Sequence, residues 1–151
     1  MSSESNQRQS KCMQVPSAEQ SGAYGEIEGV GKKISRIFLG TAISPFLDGK
    51  EADVLLDQMY ALGINAFDSA RGYGLSESVL GRWVKHRKNR EDVVLLTKCG
   101  NVSPTGAVHI DRGIMTDELK QSLRELGTDY ADILLLHRDD ANTSTAEFLE
   151  T

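Results

Sequence analysis

From residue 34 to residue 137 the sequence alternates short apolar runs with helical stripes, and this rhythm restricts the possible folds more than any other feature. The runs include "RIFLGTA", "INAFDSA", "VVLLTKC" and "ADILLLH". Between them, residues 51–62 set Ala52, Leu55, Leu56, Met59 and Tyr60 on one helical face, and residues 76–87 do the same with Val79, Leu80, Trp83 and Val84. Met115, Leu119, Leu123 and Leu126 form a third stripe. Gly63 and Gly127 stand where helix C-caps belong, and each closes a Leu-Gly pair just ahead of a strand. The strands end near residues 42, 70, 99 and 137, so successive ends are about 28 to 38 residues apart, the length of a βα unit. Strand and helix alternating in this way require a parallel sheet with right-handed crossovers. A doubly wound sheet and a (βα) barrel both satisfy the pattern.

Outside the rhythm the chain changes character. Residues 1–22 are rich in Ser, Gln, Glu and Asn and almost free of large apolar side chains, which predicts a disordered N-terminal tail. From residue 23 to 151 the sequence reads as one domain, since 151 residues at 39% hydrophobic content support a single core. "YGEIEGVGKKIS" predicts two short extended segments around a Gly-Val-Gly turn, a hairpin leading into the first core strand. At the other end "TSTAEFLET" begins like a fourth helix, so the domain stops near that helix's start.

Composition excludes several classes of function. Seventeen basic against 22 acidic side chains leave a net charge of −5, which argues against a phosphate-backbone partner and so against nucleic acid. Cys12 and Cys99 lie far apart, and no Cys-His grouping has metal-ligand spacing, so no metal is expected. Neither a signal-peptide core nor a bilayer-length apolar run is present, and a soluble, cytoplasmic protein without a membrane partner is expected.

Two glycine pairs invite a nucleotide reading. In "GYGLSE" the third glycine of a dinucleotide fingerprint would fall at Glu77, where a carboxylate repels pyrophosphate. In "GVGKK" position 26 is Glu and Lys33 occupies the Ser/Thr place of a phosphate loop, so a hairpin turn is expected. The basic stretch "RWVKHRKNR", residues 82–90, reads as a solvated helix end whose cations complement the helix dipole. His86 and His109 read as surface or loop histidines.

Four residues come together only through the fold. In parallel βα architectures functional side chains gather at the C-terminal ends of strands. Asp68 ends the second strand, Tyr73 lies in the loop after it, Lys98 ends the third strand and His137 the fourth. All four would face one mouth. A tyrosine, with an ordinary pKa of about 10, is a poor acid at neutral pH unless its anion is stabilised. A nearby lysine ammonium does that, and a carboxylate keeps the lysine charged against burial. With an imidazole to orient a carbonyl oxygen, the quartet has the parts of a general acid.

Asp, Tyr, Lys and His in this order, within "FDSARGYGLSE", "LLTKCG" and "LLLHRDD", resemble the catalytic tetrad of the aldo-keto reductase superfamily. The similarity runs from about Tyr24 to the C-terminus and includes the hairpin and "LGTA". It implies an α/β fold, the N-terminal half of a (βα)8 TIM barrel, with four of the barrel's eight strands. It implies an enzyme that reduces an aldehyde or ketone with hydride from NADPH, less often NADH. Tyr73 would be the general acid, Lys98 its modulator, Asp68 the lysine's partner and His137 the group that positions the carbonyl. Gly40, Thr41 and Asp68 would lie near the nicotinamide. The alternative is a non-catalytic half-barrel that binds or regulates a partner, or an inactive fragment. Four parallel strands alone would leave "ILLL" at 133–136 on an open edge and favour self-association.

Overall fold

The computed structural model describes residues 23–101, 111–139, 144 and 146. The expected tail, His109, and all but two residues of the expected fourth helix lie outside these residues. The chain opens with a hairpin in which β1 (Tyr24–Gly25) pairs antiparallel with β2 (Ile34–Ser35). Then β3 (Phe38–Gly40), β4 (Ala66–Asp68), β5 (Val94–Cys99) and β6 (Ile133–Leu136) form one parallel sheet in the order β3-β4-β5-β6. Helices α1 (Asp53–Ala61), α2 (Ser76–Arg87) and α3 (Arg112–Leu126) connect successive strands. The register sets Gly40 beside Asp68 and Lys98 beside Leu135. Each strand thus delivers its last residues to the same end of the sheet.

The helical stripes become the core because their spacing turns one face of each helix toward the sheet. Leu56 and Tyr60 of α1, Val79, Leu80 and Trp83 of α2, and Leu126 of α3 pack against Phe67 and Leu95 from β4 and β5. Trp83 meets Tyr60 and Phe67 edge-on at ring-centroid distances of 5.8 and 5.2 Å, and its indole N–H donates to Asp57 at 2.8 Å. The third stripe is shallower than its pattern suggests: Leu126 is buried, but Met115, Leu119 and Leu123 are only half-buried. Helix α3 packs on α2 and β5, next to the sheet's edge strand β6, and its apolar side is covered incompletely.

At the α2–α3 crossing, a Cβ on Gly81 would lie 2.6 Å from the carbonyl oxygens of both Glu125 and Leu126. Backbone cannot yield as a side chain tip can. Gly81→Ala is therefore expected to push the helices apart and to destabilise the fold by about 1–3 kcal/mol, the usual cost of overpacking. Urea unfolding measures this, and an unchanged midpoint would mean that α3 slides without cost.

The opposite face of the sheet is closed at its N-terminal end by the hairpin. Ile34 packs on Ala66 and Val94, with Val30, Phe38 and Ile133 around them. Lys32, from the Gly-Val-Gly turn, reaches under the strands to Asp132 at 2.7 Å and donates to the carbonyls of Val93 at 2.9 Å and Arg90 at 3.2 Å. Arg90 meets the other Asp132 oxygen at 2.8 Å and lies over the Tyr130 ring, 3.7 Å from its centroid. Asp132 also accepts the Leu95 N–H at 2.8 Å. The basic stretch 82–90 is thus only partly a solvated helix end. Lys85 and Lys88 are exposed, but Arg87 pairs with Asp57 at 2.8 Å and Arg90 belongs to this buried node. The helix ends with Lys88 in the left-handed conformation, and the turned chain carries Arg90 inward.

Both edges of the sheet are apolar. Leu134 and Leu135 of β6 are exposed, as is Ile37 just ahead of β3. Among the described residues no helix is long and apolar enough to cross a membrane.

Candidate active site

The mouth of the sheet assembles from the last residues of three strands and one loop. Asp68 is the final residue of β4, Lys98 stands one place before the end of β5, and His137 follows β6, its N–H donating to the Cys99 carbonyl at 2.7 Å. The loop carrying Tyr73 is laced to β5 by backbone bonds from Ser69 N–H to Leu96 at 2.9 Å and from Arg71 N–H to Lys98 at 3.1 Å. Gly74 makes this loop possible. Its φ is +55°, and a Cβ there would lie 2.6 Å from the Leu47 carbonyl oxygen.

The four residues expected to meet do meet. The Lys98 ammonium pairs with the Asp68 carboxylate, donates to the Ser69 carbonyl at 2.9 Å and lies 3.3 Å from the Tyr73 hydroxyl. It also sits over the Tyr73 ring, 4.6 Å from the centroid. His137 and Tyr73 meet edge-on, 5.4 Å between centroids with planes at 89°. The Lys98 side chain is 12% exposed and that of Asp68 36%. A phenol, an ammonium, a carboxylate and an imidazole therefore share one partly shielded spot.

Burial pushes the His137 imidazole below its ordinary range, Lys98 and Arg138 push it further, and Asp68 and Glu118 oppose them. The ring is neutral at neutral pH, so one nitrogen can donate and the other accept. Its Nδ1 is buried without a hydrogen-bond partner among the described residues. A proton-detected titration should place the His137 midpoint below about 6.5, and Lys98→Met should raise it by removing a facing cation. Linkage gives the matching stability effect. Between the depressed folded midpoint and the ordinary unfolded one, the unfolded chain binds more protons, so His137 subtracts stability as pH falls through that window and nothing above it. A midpoint at or above the ordinary value would contradict the geometry.

The residues expected near a cofactor divide into two groups. Gly40 is exposed at the end of β3, with no atom within 4 Å of where a Cβ would stand, and Asp68 lies beside it. Thr41, by contrast, is fully buried, and its N–H and hydroxyl both donate to the Asp68 carbonyl, at 3.0 and 2.9 Å. It shapes the mouth from beneath and offers no surface of its own. Its hydroxyl continues through Ser76 to Ser69, a buried chain of hydroxyls under the quartet.

The sequence reading overlooked Glu77, Arg71 and Thr97. Glu77 is 2% exposed and joins the other two from the first turn of α2. The available signal was a carboxylate one helical turn from Tyr73, at the positive end of a helix dipole.

Known proteins resemble this chain in sequence and in fold. The aldo/keto reductase family model matches residues 36–151. Aldo-keto reductase str7 of Strobilurus tenacellus is 38% identical over 89 residues, 59% of this chain and 26% of that protein. A probable voltage-gated potassium channel subunit beta of Oryza sativa subsp. japonica is 32% identical over 131 residues, 82% of this chain and 40% of its own length. Among solved structures, the holo form of aldo-keto reductase AKR11C1 from Bacillus halodurans matches with a TM-score of 0.71 at 30% identity, covering 84% of this chain and 44% of that one. The chain spans less than half the length of these relatives. Its four-stranded sheet corresponds to half of their (βα)8 barrel. Sequence match and sheet order agree, and the chain belongs to the aldo/keto reductase family.

Proposed function

We propose that this chain carries the proton-donating half of an NADPH-dependent reductase acting on small aldehydes or ketones, with NADH as the less usual donor. One observation carries the reading: Lys98 touches the Asp68 carboxylate and the Tyr73 hydroxyl at once, with the His137 ring against the same tyrosine. The general role of oxidoreductase follows from the family. Gly40 and Asp68 suit the nicotinamide end, since bare backbone at the end of β3 admits a flat ring and the Asp68 charge is already matched by Lys98. When bound, a reduced nicotinamide supplies the hydride. The protein's own side chains do the rest. His137 holds the carbonyl oxygen by a hydrogen bond from its neutral ring. Tyr73 gives its proton to that oxygen, and Lys98, paired with Asp68, stabilises the phenolate that remains. With only two cysteines, far apart in sequence, the chain suits a cytoplasmic setting.

A second reading has one observation behind it. The rice relative that spans 82% of this chain is named as a channel subunit, so a regulatory half-barrel is the alternative. The test joins residues 1–151 to the remaining strands of a family barrel and follows NADPH oxidation against a panel of aldehydes and ketones. Carbonyl-dependent oxidation is expected. Its absence across the panel, with the cofactor bound, would overturn the reductase reading and favour the regulatory one.

A further inference from the structure

We propose that Glu77 is a positioning residue for the proton donor: one buried carboxylate ties the neighbour of Lys98 to the loop of Tyr73 and so sets the separation of the two. The inference rests on the reading of Tyr73 as general acid and adds a residue that never touches the reacting atoms. Glu77 Oε1 accepts from the Thr97 hydroxyl at 2.6 Å, and Thr97 directly precedes Lys98 on β5. Glu77 Oε2 meets the Arg71 guanidinium at 3.1 Å, and Arg71 lies two residues before Tyr73. The Arg71 N–H in turn donates to the Lys98 carbonyl at 3.1 Å. A closed circuit therefore runs from β5 through the first turn of α2 to the loop and back to β5.

The circuit is costly as mere scaffolding. A buried ion pair contributes little net stability compared with an apolar pair of similar shape. What an ion pair does supply is direction, because a carboxylate with two fixed donors has one orientation. Here that orientation governs a loop whose tyrosine lies 3.3 Å from the Lys98 ammonium. Misplacing a reacting group by about 1 Å can cost on the order of 10²-fold in rate. Without Glu77, Arg71 loses its anchor, and the loop keeps its backbone bonds while Tyr73 becomes free to swing.

The test uses the full chain and reads the site without turnover. In wild type the edge-on contact with Tyr73 should displace the His137 ring-proton resonances, and the His137 titration midpoint should lie low. Glu77→Gln, which keeps the volume and removes the charge, is expected to abolish the displacement and move the midpoint up toward about 6.5 as the ring gains solvent. Arg71→Gln, at a half-exposed position, should do the same and serves if Glu77→Gln does not fold. Asp57→Asn, which weakens the far end of α2, is the control and should leave both signals as in wild type. The groups facing His137 that all three variants retain are Tyr73, Lys98, Asp68, Arg138 and Glu118. Wild-type signals in folded Glu77→Gln or Arg71→Gln overturn the positioning role alone, as does an equal response in Asp57→Asn. A wild type lacking the Tyr73–His137 contact overturns both this role and the donor reading.

Discussion

Tyr73→Phe should lower carbonyl turnover by on the order of 10² to 10⁴, about 3 to 5 kcal/mol of transition-state stabilisation, while cofactor affinity stays near wild type. The substitution removes one oxygen and little else. The ring would keep its edge-on packing with His137 and its place under the Lys98 ammonium, and Lys98 would keep the Asp68 carboxylate and the Ser69 carbonyl. In the proposed mechanism, what disappears is the proton that would neutralise the alkoxide as hydride adds to the carbonyl carbon. Steady-state kinetics on the completed barrel, with cofactor affinity from fluorescence titration, would measure both sides of the expectation. Undiminished turnover would show that water or another side chain is the acid.

Asp132→Ala should cost about 3–5 kcal/mol, because it leaves two buried cations without their counter-charge. Lys32 and Arg90 are each only 15% exposed, and Asp132 is 2% exposed between them. The Leu95 N–H would lose its acceptor as well. This node sits at the N-terminal ends of the strands, opposite the mouth, where side chains serve stability. The expected signature is therefore a large fall in the urea midpoint, with an unchanged KM for any variant that still folds. A shift under about 1 kcal/mol would mean that water enters and solvates the pair, as it does at exposed bridges.

The legible parts of this molecule are those encoded over short stretches of chain. The stripe Val79, Leu80, Trp83 and Val84 reads directly as a buried face, because helical period is a local property and α2 obeys it. The meeting of Asp68, Tyr73, Lys98 and His137 is one step less local, yet it follows once parallel strands are accepted. Glu77 was legible as an obstacle to a nucleotide fingerprint and as a carboxylate at a helix start. That exclusion is sound, but nothing near Glu77 in sequence announces Thr97, 20 residues on, as its partner. Arg90 likewise reads as solvated until Tyr130 and Asp132, some 40 residues on, arrive to bury it. The family resemblance implies Thr41 as a neighbour of the nicotinamide, and the structure ends β3 at Gly40 and turns the buried Thr41 under Asp68. Buried charges and hydroxyl chains depend on pairings between elements, which no local pattern records.

The order β3-β4-β5-β6 is also the order in which a ribosome makes the strands. Successive strands lie roughly 30 residues apart, so at 5–20 residues per second each is completed about 2 to 6 s after its neighbour. Helices form within about a microsecond of emerging, and the slower parallel pairing of each strand has seconds in which to occur. Each new strand therefore emerges beside a partner that already exists, and none has to wait for a distant segment. The growing sheet always offers its most recent strand as the docking edge for the next one. At residue 136 that strand is β6, with Leu134 and Leu135 still open to whatever the barrel adds beside them.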